Sequence, residues 1–253
     1  MMQIRATMPP LAIAAALALV SCAAPPAAPT AAPAEKAATA PETDVDLNAE
    51  YAARAAAGDS VYTLDPAASR VQIYAFRGGR ASRLGHNHVL SAPRFVGYVD
   101  LPGANAGGNA AAARFDLEFR LEDLAIDDPA DRAALGPAFA SKLSPEAIQG
   151  TREHMLGDDN LQADRFPTVR IRSLQVTGEA PKYAAQVEIR MHGQARTQWV
   201  PLTVEGLPER VSVRGAMVLR QSDFGAKPYS VVGGLLAMQD EVVIEFALAG
   251  APR

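Results

Sequence analysis

Two histidines, His86 and His88, stand two residues apart in the segment Leu84-Gly85-His86-Asn87-His88. In a β-strand, residues at i and i+2 point to the same face, so two imidazoles at this spacing could chelate Zn or Cu through their ring nitrogens. The chain has two further histidines, His154 and His192, and three histidines on one metal would leave an open catalytic position. Nothing in the sequence forces that convergence. A metal-binding or redox protein of the cell envelope is therefore kept as the alternative function.

The single cysteine, Cys22, follows an apolar run from Leu11 to Val20 that is too short to span a bilayer. One cysteine excludes an internal disulfide, a Cys-rich zinc site and a CxxC redox pair. The segment Leu19-Val20-Ser21-Cys22 resembles a bacterial lipobox, in which a peptidase cuts before the cysteine and the thiol carries diacylglycerol. We therefore expect a signal peptide over residues 1–21 and a periplasm-facing lipoprotein. The two alanines after the cysteine favour the outer membrane, since an Asp there commonly favours inner-membrane retention.

Composition and missing motifs exclude nucleic acid and several enzyme classes. The chain has 24 Lys and Arg against 28 Asp and Glu, a formal net charge of -4, and no dense basic run to neutralise a phosphate backbone. It contains no GxSxG, P-loop, HExxH or GxGxxG sequence. The acidic pairs Asp127-Asp128 and Asp158-Asp159 fall in turn and capping contexts, which favour solvation over acid–base catalysis. We expect a binding protein with no cofactor, not an enzyme.

The elements that would position these residues begin with a tether. Ala and Pro fill most of residues 23–42, with no apolar stripe to bury, so we expect a disordered lipid-anchored linker over residues 22–59. Within it, residues 47–57 predict a short helix stopped by Gly58. The rest is long enough for one domain over residues 60–248, followed by a short tail over residues 249–253.

Within that domain the dominant sequence period is two, which is typical of strands with one wet face. About eight such strands in series, separated by Gly, Pro and Asp turns, predict an all-β fold and a closed antiparallel barrel, because closure removes exposed sheet edges. A helical insertion over residues 128–157 breaks the pattern, with Asp128 and Ser144 as N-caps. The alternating segments are 71–76, 115–121, 169–172, 187–191, 200–204, 211–219 and 242–248.

A set of short motifs, in a fixed order, resembles the YceI-like polyisoprenoid-binding family over most of residues 61–248. No single motif is specific, but their order and approximate spacing are. The resemblance implies an extended lipocalin-like barrel whose interior takes the apolar chain of an isoprenoid-like lipid or a quinone, with no catalytic residues prescribed. The motifs are Tyr62-Thr63-Leu64-Asp65-Pro66, Ser69-Arg70-Val71, Arg152-Glu153-His154-Met155, Ala163-Asp164-Arg165-Phe166-Pro167-Thr168-Val169, Met191-His192-Gly193, Arg220-Gln221-Ser222-Asp223-Phe224-Gly225 and Asp240-Glu241-Val242-Val243-Ile244.

Ligand-contacting residues are sought on the apolar positions of the alternating strands, because alternation marks the inside of a barrel. It does not separate a ligand-contacting side chain from an ordinary core residue. Trp199 stands at the entry of a strand, where rim packing and ligand contact are both open. The expected partners are this lipid and, through Cys22, a membrane; a homodimer is left open. The candidate ligand-binding residues are Phe76, Phe115, Leu117, Phe119, Ile171, Ile189, Met191, Trp199, Leu219 and Phe246.

Overall fold

The computed structural model describes residues 45–101 and 110–253. The predicted signal peptide, Cys22, most of the predicted linker and residues 102–109 lie outside the described residues. The helices are α1 (Leu47–Ala56), α2 (Pro129–Ala134) and α3 (Pro145–Leu156). The strands are β1 (Ser60–Leu64), β2 (Arg70–Gly78), β3 (His88–Ser91), β4 (Val96–Leu101), β5 (Arg114–Arg120), β6 (Ala125–Ile126), β7 (Thr168–Glu179), β8 (Lys182–Met191), β9 (Gln194–Glu205), β10 (Val211–Arg220), β11 (Ser230–Val231) and β12 (Leu236–Pro252).

The strands form a closed antiparallel barrel, as the sequence predicts. Its eight-stranded ring runs in the order β1-β4-β5-β7-β8-β9-β10-β12, and β12 returns to β1 to close it. A short sheet, β2-β3-β6, continues from the first part of β12. Every ladder in the ring joins antiparallel neighbours, so inward and outward side chains alternate along each strand.

The last strand, β12, is longer than the sequence pattern indicates. Residues 249–253 are expected to be a tail, but β12 continues to Pro252 because its end pairs with β1, Tyr62 lying opposite Pro252. This pairing closes the barrel, and it is made by backbone groups. The run Ala249-Gly250-Ala251-Pro252 has no apolar alternation, so nothing in its side chains marks it as a strand.

Helix α1 lies on the outside of the barrel, and the predicted linker over residues 22–59 therefore ends earlier than expected. Its N-cap, Asp46, accepts a hydrogen bond from the amide of Ala49 at 3.1 Å. Tyr51 is 1% exposed, stacks on Tyr98 with ring centroids 4.9 Å apart, and donates its hydroxyl to Asp116 Oδ2 at 2.8 Å. Burial and the Asp116 carboxylate raise the pKa of Tyr51, so its hydroxyl stays protonated and can donate this hydrogen bond. These contacts make residues 47–56 part of the folded domain.

The helical insertion has the caps that the sequence predicts. The side chain of Asp128 accepts from the amide of Ala130 at 2.8 Å, and that of Ser144 accepts from the amide of Ala147 at 3.2 Å. A 3-10 turn between α2 and α3 buries Phe139 against Tyr74 of β2, with ring centroids 6.1 Å apart. The insertion therefore covers the outer face of β2. No helix among the described residues is long and apolar enough to cross a membrane.

One ladder of the ring, between β9 and β10, is much shorter than its neighbours. It runs from Ser212 opposite Glu205 to Gly215 opposite Leu202 and then stops, whereas the β8–β9 and β10–β12 ladders run the full length of β8 and β10. The next residue of β9 is Pro201, which has no amide hydrogen to donate to a ladder. Trp199 and Val218 lie within the unpaired stretch, and both are about half exposed on the outer wall. We call this stretch, residues 194–201 and 216–220, the seam.

Candidate ligand-binding site

A cavity of about 430 Å³ lies inside the barrel. Its walls are almost entirely apolar, and all eight strands of the ring together with the start of β2 contribute to them. The volume falls within the range of roughly 300–1,000 Å³ that is typical of small-molecule sites. Among its lining side chains are Leu64, Val71, Val99, Val187, Val200, Leu202, Val213, Met217, Ile244 and Leu248.

The cavity reaches the end of the barrel where β4 ends, β5 begins and β9 turns into β10. Leu101 and Ala110 line it on one side, and Leu207 and Pro208 of the β9–β10 turn line it on another. Leu207 is partly exposed, and the Tyr62 hydroxyl donates to the carbonyl of Pro208 at 2.9 Å. These residues form the rim of the cavity. The opposite end of the barrel is filled by core side chains that include Leu121, Ile126 and Phe224.

Strand alternation explains how the sequence builds an apolar inside and a charged outside. Along β8, Val187 and Ile189 face inward, and Glu188 between them faces outward. Glu188 accepts from Arg190 at 2.8 Å and lies 3.0 Å from Arg172 of the neighbouring strand. Glu188 is therefore paired on the outer face, and the inward positions on either side of it are apolar.

Half of the predicted ligand-binding residues line the cavity: Phe115, Leu117, Phe119, Ile171 and Phe246. The ring of Phe246 covers Gly215 of β10, where a side-chain carbon would lie 2.5 Å from Phe246 Cζ. Glycine at this position therefore lets the phenyl ring lie flat against the wall of the cavity.

The other half of the predicted residues lie elsewhere. Ile189 and Leu219 are buried in the core beyond the cavity, and Met191 packs against that core at the end of β8. Phe76 faces outward and belongs to the cluster of Tyr74 and Phe139 under the helical insertion. Trp199 is 50% exposed and does not line the cavity. None of these five lines the cavity.

Sequence reasoning did not single out several lining residues, among them Met217, Val200 and Val213. All three lie on strands that the alternation predicts, at inward positions. The signal was therefore present, but period two gives the face of a residue and not its depth along the barrel axis.

The histidine pair does not form the chelating arrangement that its spacing suggests. Only His88 lies in a strand, since β3 begins at that residue, and His86 precedes it in a loop. His86 Nδ1 lies 3.2 Å from Ser141 Oγ, and His88 Nδ1 donates to Asp127 Oδ2 at 2.6 Å. Within residues 45–101 and 110–253, no three His, Cys, Asp or Glu side chains are grouped so that they could hold a metal.

Asp127 is instead the centre of a buried hydrogen-bond network beside β3. Its side chain is fully buried and accepts from His88, from the amide of Val89 at 3.1 Å and from Arg132 Nη1 at 2.5 Å. Arg132 also donates to the Ser141 hydroxyl at 2.9 Å. Burial alone would raise the pKa of Asp127, but the hydrogen bonds from His88, Val89 and Arg132 outweigh it and hold the pKa below its ordinary value. This network ties the helical insertion to the sheet.

The remaining two histidines have local partners. His192 Nδ1 donates to the carbonyl of Phe224 at 2.8 Å, and the His154 ring lies 4.8 Å from that of Tyr229. Neither residue lines the cavity.

A closed barrel of about eight strands with an apolar interior defines a class of proteins that can hold one small apolar ligand. Within that class, the chain belongs to the YceI-like family, because the model of the YceI-like domain matches residues 62–249.

One solved structure has a similar fold, and another match is weaker. BcnA of Burkholderia cenocepacia superposes with a TM-score of 0.51 at 17% identity, and the match covers 74% of this chain and 98% of that one. A YceI protein of Campylobacter jejuni matches with a TM-score of 0.46 at 10% identity, over 65% of this chain and 84% of that one. No curated protein matches the sequence.

Proposed function

We propose that this chain is a lipid-anchored envelope protein that binds an isoprenoid-like lipid or a quinone inside its barrel. The apolar cavity of about 430 Å³ is the observation that carries the proposal. An isoprenoid chain has few polar atoms, so its recognition needs an apolar enclosure and few hydrogen bonds. Each CH₂ group that enters such a cavity contributes about 0.8 kcal/mol, which opposes the chain entropy lost on binding.

The polar groups at the cavity support a ligand with one polar end. Arg114, at the start of β5, lines the cavity and is exposed. A guanidinium at this position can meet a phosphate or carbonyl oxygen outside the apolar part of the cavity. Asp116 alternates with the inward residues of β5, so its carboxylate faces outward, where it accepts from Tyr51 and from Arg170 Nη2 at 2.8 Å.

Mass spectrometry of an organic extract tests this function directly. Protein purified from its native envelope without detergent exchange is expected to release a polyprenyl-type lipid or a quinone at close to one molecule per chain. The same extraction from an unrelated envelope lipoprotein serves as the control. An extract that contains only the phospholipids of that control, in protein that also takes up no added quinone, would contradict the proposal.

The anchor is tested separately by the variant Cys22→Ser. The thiol is the group that would carry diacylglycerol, so a serine is expected to abolish lipidation and to leave the first 21 residues attached. Intact-mass measurement and membrane fractionation of wild type and variant read out both effects. Unmodified Cys22 in mature protein from the native envelope would show that the chain is not a lipoprotein.

A further inference from the structure

Two neighbouring loops form a protruding end of the barrel, which we call the basic tip and define as residues 77–86 and 225–239. The amide of Ala81 donates to the carbonyl of Leu235 at 2.8 Å, and the side-chain amide of Gln239 donates to the carbonyl of Arg77 at 3.2 Å. The tip lies where β2 ends and β12 begins, whereas the cavity is lined by the start of β2 and the end of β12. The basic tip is therefore at the opposite end of these strands from the cavity.

The basic tip exposes apolar side chains from both loops. Leu84 is 76% exposed and Val232 is 70% exposed, and no other large apolar side chain among the described residues is as exposed as these two. Tyr229 of the same tip is partly exposed. Val232 also has a φ of 53°, which is unfavourable for a β-branched residue. This backbone strain is not offset by packing of the valine side chain, because that side chain faces solvent.

The charge of the basic tip has one sign. It contains Arg77, Arg80, Arg83 and Lys227 and no acidic residue. Arg77 donates to the carbonyl of Gly85 at 3.1 Å. In the part of the chain that the structure describes, no salt bridge joins a carboxylate to Arg80, Arg83 or Lys227.

Most other arginines of the described chain are in salt bridges, and two acidic side chains beside the tip, Asp240 and Glu241, are engaged. Asp240 accepts from the amide of Ser222 at 2.8 Å and lies 3.6 Å from Arg220, and Glu241 lies 3.4 Å from the same guanidinium. The unpaired cations of the tip are therefore available to an outside anion. The chain as a whole has a formal net charge of -4, and residues 116–164 have twelve acidic and four basic side chains.

We propose that the basic tip is a docking surface for a lipid bilayer with anionic headgroups. Exposed Leu84 and Val232 would enter the boundary between headgroups and acyl chains, where apolar side chains are stabilised. Arg80, Arg83 and Lys227 would lie at the level of the anionic headgroups. The chain as a whole is acidic, so the loops that carry unpaired cations are the part of the described surface that an anionic bilayer would attract. The rim of the cavity then faces away from the bilayer that the tip contacts.

Vesicle flotation tests the proposal with the mature chain, residues 22–253, carrying Cys22→Ser so that no lipid anchor contributes. The unsubstituted tip is expected to bind vesicles of phosphatidylglycerol and phosphatidylcholine and to bind pure phosphatidylcholine at least tenfold more weakly. The double variant Arg80→Gln, Arg83→Gln is expected to lower the binding constant for anionic vesicles by about thirtyfold. The double variant Leu84→Ser, Val232→Ser is expected to lower it at least fivefold for both kinds of vesicle.

The matched control replaces two exposed apolar residues of the outer barrel wall, Leu174→Ser and Val218→Ser, and is expected to bind as the parent does. Cavity ligand, measured in the same preparations, should be unchanged in every variant, which separates failure of this proposal from failure of the proposed function. Absence of binding to anionic vesicles would overturn the proposal. So would equal binding to both vesicles, or equal loss in the control and tip variants.

Discussion

Replacing Met217 with Gln is expected to lower the affinity for an apolar ligand by roughly 5- to 150-fold. Met217 lines the cavity from β10, and Gln has nearly the same length and volume. In the ligand-free protein, water in the cavity can hydrogen-bond the new amide. A bound ligand displaces that water and leaves the amide unpaired, which costs about 1–3 kcal/mol. The loss of folding stability should be smaller than the loss of binding, because the hydrated amide is satisfied in the empty cavity.

The matched control for this substitution is Met191→Gln. Met191 is also partly buried and also at an inward position of its strand, but it packs against the core and does not line the cavity. We expect it to lower the melting temperature and to leave ligand affinity within about twofold, since no ligand covers the new amide. Co-purified lipid per protein and a thermal melt are measured for both variants. Equal loss of lipid in the two variants would refute the assignment of the cavity as the binding site.

Removing the carboxylate of Asp127 is expected to have the largest effect on stability. In Asp127→Ala, the buried guanidinium of Arg132 loses its anionic partner, and His88 and the amide of Val89 lose an acceptor. Breaking a buried ion pair from one side costs about 3–5 kcal/mol, because the other charge stays buried and unpaired. Asp127 also has a φ of 54°, a conformation that Asp tolerates better than Ala. Urea unfolding of the variant measures the loss.

Two further variants separate charge from backbone conformation. Asp127→Asn keeps the tolerance of a positive φ and one acceptor oxygen, so it should cost less than Asp127→Ala. Asp131→Ala removes the partner of Arg70, which is mostly exposed, and should cost about 1 kcal/mol or less. If Asp131→Ala destabilised the protein as much as Asp127→Ala, the buried network would not be the source of the effect.

The pH dependence of stability follows from the same carboxylate. Because the pKa of Asp127 is lower in the folded state than in the unfolded chain, its contribution is complete above the unfolded pKa of about 4. The contribution is then lost as the pH falls through the folded value. The free energy of unfolding should therefore fall less on acidification in Asp127→Asn than in the parent.

The barrel could be predicted from the sequence because its strands are amphipathic, and the caps Asp128 and Ser144 because capping is local. Predictions were wrong where backbone pairing extends a strand, or where a helical segment covers the outer face of a strand. Phe76 was placed inside because it ends an alternating segment, yet that segment has apolar residues on both parities. Val71 and Ile73 face the barrel, and Tyr74 and Phe76 face the helical insertion. A sheet covered on both faces loses the contrast that alternation depends on.

The sequence predicts which face of a strand points into the barrel, but not which inward residues lie at the level of the cavity. The alternation of β5 predicts that Phe115, Leu117 and Phe119 face inward, and all three line the cavity. On β8, Val187 lines the cavity and Ile189, the next inward residue, belongs to the solid core. The difference is set by what lies across the barrel, on strands distant in sequence. For His86 and His88, the i, i+2 rule failed since β3 begins only at the second histidine.

The seam between β9 and β10 bears on the size of guest that the barrel can admit. A barrel whose neighbouring strands are hydrogen-bonded along their full length has a fixed circumference, because widening it breaks backbone hydrogen bonds between strands. The ladder between β9 and β10 ends at Leu202 and Gly215. The next inward residues of the two strands, Val200 and Met217, both line the cavity. The wall can spread at this slit without losing a further backbone bond between the two strands. The width of the barrel at the cavity can therefore change with the ligand, and under the proposed function we expect one chain to admit apolar chains of different thickness.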